Sequence, residues 1–256
     1  MTGHLYVIGL GPGDVQFRTG EAEAALADVA HVFGYKPYVA RVAARAGLTR
    51  HASDNREEID RAAAALTLAA AGEKVALVSG GDPGVFAMAA AACEAVEHGP
   101  APWRTVPLTV VPGITAMLAL AARVGAPLGH DFCAISLSDN LKPWDVIEMR
   151  LRAAARAGFA MAFYNPVSRA RPWQLGRALD ILREELPPTV PVIFGRAVTR
   201  PDEAIAIVPL ADAISDMADM ATCPIVGTAE TRLVPRPDLP PLIYTPRTLA
   251  PAKVTP

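Results

Sequence analysis

The stretch 77–86, Leu-Val-Ser-Gly-Gly-Asp-Pro-Gly-Val-Phe, constrains the fold of this chain more than any other. The apolar run at 75–78 predicts a buried strand, and an alanine-rich pattern over 85–96 predicts the helix that follows. Between them, the glycines allow a positive φ and Pro83 cannot continue a strand. A strand that ends in such a turn and leads into a helix exposes backbone N–H groups at the carboxyl edge of a sheet. Ligands of α/β proteins bind at that edge.

Two more predicted strands end in glycine loops. The run 5–8 is followed by Gly-Leu-Gly-Pro-Gly-Asp at 9–14, and the run 108–111 is closed by Pro112 and Gly113. The first loop is similar to the start of a dinucleotide fingerprint, but Pro12 lacks the N–H that a phosphate would use and the last glycine of G-x-G-x-x-G is missing. An NAD site is therefore a poor fit. Loops at the carboxyl ends of parallel strands face one crevice, so we expect the three loops to lie together.

Alternating strands and helices in the first half of the chain predict an α/β fold, with a parallel sheet and covering helices. The expected strands are 5–8, 31–35, 75–78, 108–111, 132–137, 159–164, 190–194, 204–208 and 224–227. The expected helices are 20–30 (capped by Thr19), 36–46, 56–71, 85–96, 114–124, 143–157, 172–185 and 210–220. Residues 100–107 are expected to form a loop, and the proline-rich segment from Pro235 an extended tail. The Gly/Pro-dense segment 125–129 is the best linker, which gives lobes of residues 1–125 and 126–256.

Composition excludes several classes of function. The chain has 256 residues, a net charge of -2 and 20% charged residues, so it lacks the clustered basic excess of a nucleic-acid-binding protein. No apolar run is long enough to span a bilayer, and residues 1–4 lack the basic start of a signal peptide. Three widely spaced cysteines, Cys93, Cys133 and Cys223, argue against a disulfide framework or a zinc site. We expect a cytoplasmic protein with reduced thiols, no bound metal, and no nucleic-acid or membrane partner.

Motifs of several common catalytic sites are missing. The chain contains no Walker loop, no H-E-x-x-H and no G-x-S-x-G sequence. Catalysis would therefore depend on positioning and on scattered polar groups. Asp82, for example, either caps the following helix or accepts hydrogen bonds from a ligand.

Three motifs taken in order, 9–14, Gly81-Asp82-Pro83 and Pro-Gly-Ile-Thr-Ala at 112–116, resemble the tetrapyrrole (precorrin) methyltransferases that use S-adenosylmethionine. Further stretches, at 129–132, 135–139, 143–144 and 163–168 with Arg171, resemble the branch of this family that methylates precorrin-3B at C-17. The similarity covers nearly the whole chain, although the family's T-P-R-G-Y ending is replaced by Thr-Pro-Arg-Thr-Leu at 245–249. The resemblance implies a two-lobed tetrapyrrole-methylase-like α/β fold, with an N-terminal, mostly parallel sheet covered by helices on both faces and a second α/β lobe with a mixed sheet. It also implies a homodimer, and S-adenosylmethionine held between the lobes, with S-adenosylhomocysteine as product.

The same resemblance implies a set of site residues. Those expected to bind the cofactor are Gly80, Gly81, Asp82, Val85, Phe86, Thr115, Ala116, Tyr164, Asn165, Ala197, Gly227 and Thr228. Those expected to contact the tetrapyrrole are Gly11, Pro12, Gly13, Asp14, Ser136, Asp139, Arg169 and Arg171. The candidate catalytic residues are His130, Asp14 and Ser138.

Each candidate also has a purely structural alternative. His130, next to Asp131, is either a base oriented by a carboxylate or a linker residue that caps a strand. Asp14 either contacts substrate or caps its turn, and Ser136, Ser138 and Asp139 either bind substrate or precede a helix as caps. The arginines at 169 and 171 either pair with substrate carboxylates or lie on a solvated helix start. Two other functions remain open: a sister methyltransferase, for another ring carbon or a cobalt-containing substrate, and a non-catalytic tetrapyrrole- or nucleoside-binding protein.

Overall fold

The protein is described from a computed structural model, in which residues 3–54 and 57–248 are placed. The chain folds into two compact units, Met1–Ala116 and Met117–Pro256. These units meet between residues 116 and 117, nine residues before the lobe boundary expected between 125 and 126. The expected lobe boundary stays a prediction. No helix in the described part of the chain is both long and apolar enough to cross a bilayer.

The first unit contains a five-stranded sheet whose pairings are all parallel. Its strands are β1 (His4–Gly9), β2 (His31–Tyr35), β3 (Thr49–Ser53), β4 (Lys74–Ser79) and β5 (Leu108–Val111). Its helices are α1 (Gly20–Asp28), α2 (Lys36–Val39), α3 (Glu58–Ala70) and α4 (Met88–His98), with short 3-10 helices at Val15–Phe17 and Ala101–Thr105. The strand order β3-β2-β4-β1-β5 places the ends of β4, β1 and β5 side by side.

Both faces of this sheet are covered, as the alternation of apolar residues along each strand requires. Leu5 and Leu77 pack in one cluster with α3 and α4. Ile8 and Val78 point the other way and pack in a second cluster with α1 and Val39 of α2. The predicted helices on both faces are therefore confirmed.

The second unit contains a mixed sheet in the order β10-β9-β11-β8-β7 and a small sheet in the order β12-β13-β6. The strands are β6 (Gly125–Ala126), β7 (Phe132–Ser136), β8 (Ala160–Tyr164), β9 (Pro191–Arg196), β10 (Ala204–Pro209), β11 (Thr222–Val226), β12 (Arg232–Arg236) and β13 (Leu239–Tyr244). The helices are α5 (Ala116–Val124), which begins at the unit boundary, α6 (Trp144–Arg156) and α7 (Gln174–Glu185). One buried cluster fills the space between α6, α7 and the mixed sheet.

Four predicted segments, one in the first unit and three in the second, are wrong. The helix expected over 36–46 ends at Val39, and Arg41 and Arg45 bond instead to carbonyl groups elsewhere in the fold. Such tertiary contacts override alanine's helix propensity. The linker 125–129 begins as β6, which pairs with β13. The helix expected over 210–220 is replaced by two 3-10 turns, and the extended tail forms the hairpin of β12 and β13.

Smaller corrections concern single elements and their ends. The edge strand β3 was not predicted, and residues 101–105 form a 3-10 helix inside the expected loop. The helix expected from Val85 begins at Met88, because Phe86 has a φ of 52° and cannot lie in a right-handed helix. The expected start of α3 at Arg56 and the end of the tail at 249–256 lie outside the described residues.

Candidate functional site

The three glycine loops meet at the carboxyl edge of the first sheet. Gly11 and Gly81 exchange backbone hydrogen bonds of 3.2 Å and 2.9 Å, which join the loop after β1 to the loop after β4. A Cβ built on Gly113 would lie 2.3 Å from the carbonyl oxygen of Gly81, and one on Gly9 would lie 2.6 Å from the same atom. No side chain fits at either position. The expected convergence of the three loops is confirmed.

Asp82 holds this arrangement from within. Its Oδ1 accepts the N–H of Gly84 at 2.8 Å, and its Oδ2 accepts the N–H of Gly113 at 3.0 Å. The helix cap proposed for this residue is not formed, since α4 begins at Met88 after Ala87. An ionised carboxylate has about four acceptor positions, so both oxygens keep capacity for a ligand's donor.

The other predicted cofactor residues of this unit border the same edge. Gly80 lies against the ring of Tyr38, where a Cβ would approach within 2.7 Å. Val85 is half-buried. Phe86 is 50% exposed, and its backbone has a positive φ. The buried Thr115 lies next to Gly81, and Ala116 begins α5. This edge therefore offers backbone N–H groups, one carboxylate and apolar side chains.

The predicted tetrapyrrole loop lies at this edge as well. Gly11 and Pro12 are buried, whereas Gly13 is half-buried and Asp14 is exposed. Asp14 caps the 3-10 helix that follows, because its Oδ1 accepts the N–H of Gln16 at 2.9 Å. The structural alternative for this aspartate is thus present, and its second oxygen leaves an acceptor at the surface.

Two arginine side chains hold the backbone of this loop, one directly and one through the other. Nη2 of Arg41 donates to the carbonyl oxygens of Leu10, Gly11 and Gly13. Nη2 of Arg18 donates to the carbonyl oxygen of Arg41 at 3.1 Å. No sequence pattern singles out either arginine, because their partners are backbone atoms distant in the sequence.

In the second unit, the carboxyl ends of β7 and β8 carry another group of predicted residues. Strands β7 and β8 run parallel, and Ser136 pairs with Tyr164 at their ends. The Oγ of the buried Ser136 accepts the side-chain amide of Asn165 at 3.0 Å and the N–H of Ser138 at 3.3 Å. The hydroxyl of Tyr164 accepts the N–H of Met117 at 3.2 Å.

The neighbouring loops hold the polar groups expected to meet substrate. Nη1 of Arg171 donates to the carbonyl oxygen of Asn165 at 3.1 Å, and Arg169 lies exposed in the turn closed by Ser168 and Arg171. Both oxygens of Asp139 accept the amide of Gln174 at 3.2 Å. No sequence pattern indicates this glutamine, which is 1% exposed and fixes the position of Asp139.

Strained backbone marks several of these positions. Among the described residues, five non-glycine residues have a positive φ, and three of them were predicted to bind the cofactor. These are Phe86 (52°), Asn165 (53°) and Ala197 (48°). Such conformations cost about 1–3 kcal/mol each and cluster at ligand sites. Ala197 itself is buried, at the carboxyl end of β9.

His130, Gly227 and Thr228 lie at the opposite edge of the mixed sheet, where β7 and β8 begin. The residue after His130 bonds to the start of β8, and the N–H of Gly227 bonds to Pro191 at the start of β9. A strand of this length separates the two edges by about 13 Å, at about 3.3 Å per residue. The structure therefore does not bring these three residues together with Tyr164 and Asn165.

A cleft of about 320 Å³ occupies that opposite edge, lined in part by His130, Thr228, Arg156 and Glu185. The Nδ1 of His130 is 3.7 Å from the carboxylate of Asp131. Hydrogen bonds from Arg156 and from a neighbouring arginine lower the pKa of Glu185 to about 2. Arg156 and Glu185 are thus already paired with each other. Within residues 3–54 and 57–248, no three His, Cys, Asp or Glu side chains are grouped to hold a metal ion.

Comparisons with known proteins find relatives over nearly the whole chain. The sequence profile described as "Tetrapyrrole (Corrin/Porphyrin) Methylases" matches residues 4–214. A "Precorrin-3B C(17)-methyltransferase" from Sinorhizobium sp. is 63% identical over 247 residues, which cover 96% of this chain and 97% of the relative. A "Probable cobalt-factor III C(17)-methyltransferase" from Salmonella typhimurium is 42% identical over 228 residues, which cover 89% of this chain and 93% of the relative. The crystal structure of "the methyltransferase CobJ" matches with a TM-score of 0.91 and 56% identity, over 95% of this chain and 100% of that one.

Proposed function

Because the chain belongs to the tetrapyrrole (corrin/porphyrin) methylases, we propose that it transfers a methyl group from S-adenosylmethionine to C-17 of precorrin-3B. The reaction contracts the ring to give precorrin-4, a step of cobalamin biosynthesis. The observation that carries the proposal is the 63% identity to a precorrin-3B C(17)-methyltransferase across nearly the full length of both chains. The fold agrees with that assignment, since the CobJ methyltransferase structure superposes with a TM-score of 0.91.

The carboxyl edge of the first sheet fits an adenosylmethionine. Its half-buried and exposed apolar side chains, Val85 and Phe86, suit the adenine ring and the methionine chain. The ammonium and ribose hydroxyl groups need acceptors, which Asp82 and the carbonyl groups of the glycine loops provide. We assign cofactor contacts to Gly80, Gly81, Asp82, Val85, Phe86, Thr115 and Ala116, and in the second unit to Tyr164, Asn165 and Ala197.

The bound cofactor supplies an activated sulfonium methyl group, so the protein's main task is to hold and orient the reactants. Such positioning can contribute up to about 7–11 kcal/mol to lowering a barrier. We assign the tetrapyrrole to the loop at 11–14 and, in the second unit, to Ser136, Asp139, Arg169 and Arg171. The exposed Arg169 can form a bidentate contact with a substrate carboxylate.

Two candidates remain for proton transfer during ring contraction. Asp14 is exposed and keeps one carboxylate oxygen outside its capping bond. Ser138 is half-buried, and its backbone N–H bonds to the same Ser136 hydroxyl that binds Asn165. The proposal leaves out His130, Gly227 and Thr228, because they lie at the far edge of the mixed sheet.

The test is a combined mass and absorbance assay with purified protein, S-adenosylmethionine and freshly prepared precorrin-3B. A product heavier by one CH₂ unit with an altered chromophore is expected, and NMR should place the new methyl group at C-17. S-adenosylhomocysteine binding measured by calorimetry provides a separate reading of the cofactor site. An unchanged mass in the presence of normal cofactor binding would contradict the proposed substrate.

A second candidate substrate is the cobalt-containing tetrapyrrole of the related reaction. It is favoured by the 42% identity to the Salmonella typhimurium relative named for cobalt-factor III. Parallel assays with both substrates decide between them, since the higher kcat/KM identifies the preferred one. Binding of either tetrapyrrole without methyl transfer would instead indicate a non-catalytic binding protein.

We further propose that the enzyme is a cytoplasmic homodimer. The support is the resemblance to this family, in which the homodimer is expected. Sedimentation velocity of the purified protein should give about twice the 26.9 kDa mass of one chain. A species at the mass of a single chain over the micromolar range would contradict the dimer.

A further inference from the structure

Three backbone carbonyl groups of the loop after β1 converge on one nitrogen atom. Nη2 of Arg41 donates to the carbonyl oxygens of Leu10 at 2.5 Å, Gly11 at 3.0 Å and Gly13 at 3.0 Å. Leu10, Gly11 and Pro12 are buried, so the loop's inner side is closed to solvent. One guanidinium group therefore binds the backbone of nearly the whole loop.

A cation is needed at this point for electrostatic reasons. Three carbonyl dipoles aimed at one position repel one another, and a positive charge turns that repulsion into attraction. Hydrogen bonds from a charged donor are also about twice as strong as neutral ones. With a neutral side chain at position 41, the buried carbonyl group of Leu10 would lose this donor, whereas that of Gly11 would keep its bond from the N–H of Gly81. The loop would then have to open for the Leu10 carbonyl group to reach water.

The loop's position matters beyond the loop itself. Gly11 adopts a φ of 68° and exchanges two backbone hydrogen bonds with Gly81. Its Cβ position is filled, because an atom there would lie 2.7 Å from the carbonyl oxygen of Phe17. The exposed end of the loop carries Asp14, a candidate proton acceptor. A shift of the carbonyl groups at 10–13 would therefore move the surface assigned to the tetrapyrrole.

We propose that Arg41 is a positioning residue, which holds the 11–14 loop in the conformation that binds the tetrapyrrole. It acts through the loop backbone and has no assigned contact with substrate. The inference rests on the proposed function, because that function assigns the loop to the tetrapyrrole. Arg41→Ala should therefore raise the KM for the tetrapyrrole far more than it changes the affinity for S-adenosylhomocysteine.

Arg45 provides a matched control four residues away. Its Nη2 also donates to three carbonyl oxygens, those of Leu26, Ala27 and Val29, at 3.0, 3.1 and 2.5 Å. These groups lie at the end of α1, which leads into the amino end of β2. Arg45→Ala removes the same kind of contact at the opposite edge of the sheet, and its KM for the tetrapyrrole should stay at the wild-type value.

The experiment compares wild-type protein with Arg41→Ala, Arg41→Lys and Arg45→Ala. For each, kcat and KM for precorrin-3B are measured at saturating S-adenosylmethionine, the Kd for S-adenosylhomocysteine by calorimetry, and the thermal midpoint. We expect a rise in KM of about tenfold or more for Arg41→Ala, as for a loss of one or two charge-assisted bonds. Arg41→Lys should recover part of this loss, since lysine keeps the charge but lacks the planar fork.

Each result decides the matter. A folded Arg41→Ala variant with the wild-type KM would overturn the inference, and so would an equal rise in KM for Arg45→Ala. If Arg41→Ala does not fold, the lysine variant decides: a raised KM supports positioning, and a wild-type KM refutes it. Failure of the wild-type protein to methylate either tetrapyrrole would refute the proposed function instead, so the two failures are distinguishable.

Discussion

Asp82 offers the sharpest test of how the cofactor edge is built. Its carboxylate binds two loops, since one oxygen accepts from Gly84 and the other from Gly113. The partly buried bond from Gly113 is worth about 1.5–3 kcal/mol, and the exposed bond from Gly84 about 0.5–1 kcal/mol. Asp82→Ala should therefore lower the free energy of unfolding by about 2–4 kcal/mol, which a domain with about 5–15 kcal/mol can survive.

The affinity for S-adenosylhomocysteine should fall with it, because Gly81 and Gly113 would no longer be held together. We expect a Kd at least about tenfold higher, which corresponds to about 1.4 kcal/mol. Asp82→Asn keeps the size of the side chain but removes its charge and one acceptor, because an amide nitrogen cannot accept the second N–H. Calorimetry and urea unfolding provide the two readouts.

Asp28→Asn is the control for these variants, because Asp28 forms an exposed ion pair with Lys74 and should leave cofactor affinity unchanged. If Asp82→Ala keeps both the stability and the cofactor affinity of the wild type, the role of Asp82 in joining the two loops and the assigned cofactor site are both refuted.

Three further predictions follow from close contacts and from shifted pKa values. Gly113→Ala places a Cβ 2.3 Å from the carbonyl oxygen of Gly81 and should cost at least about 1–3 kcal/mol in urea unfolding, whereas Gly20→Ala, with nothing within 4 Å, should be neutral or stabilising. Burial and a neighbouring histidine lower the pKa of His51, so its neutral form is favoured in the folded state. The thermal midpoint should therefore fall as the pH drops below about 6.5. A His51→Gln variant that shows the same pH dependence would contradict this. Hydrogen bonds from two arginines of α6 lower the pKa of Glu185 to about 2, so its stabilising effect is present above about pH 4.5 and lost as the pH falls through about 2. Glu185→Gln should therefore destabilise the protein at about pH 7 but not near pH 2, and equal effects at both would refute the assignment.

Most of the first sheet and its glycine loops could be predicted from the sequence. Strand β2 and the end of β5 were placed correctly, because short apolar runs next to glycine have few alternatives. Helical propensity failed where arginine side chains bind distant carbonyl groups, as after Val39. It failed again over 210–220, where the chain forms 3-10 turns that cover α7 through Leu210.

The candidate site was predictable only in part, for a related reason. Loop convergence follows from the parallel arrangement of the strands, whose carboxyl ends are marked by the glycine loops. The contacts of Arg41 and Gln174 depend on backbone atoms and side chains far away in sequence, so no local pattern marks them. The same limit applies to His130: its neighbours in the sequence suggested a catalytic pair, but the direction of β8 places it at the other edge from Tyr164.

The pairing of β6 with β13 has a consequence for the timing of synthesis. Gly125 pairs with Ile243, and the hydroxyl of Thr245 donates to the carbonyl oxygen of Pro127 at 2.6 Å, across 118 residues of sequence. Strands β1 to β5 all lie before residue 112, so that sheet can close while the ribosome is still translating the rest. The short strand at 125–126 has no partner until β13 has left the exit tunnel. Maturation of the second unit should therefore be a late event that waits for the synthesis of β13, and a nascent-chain protease assay would detect it.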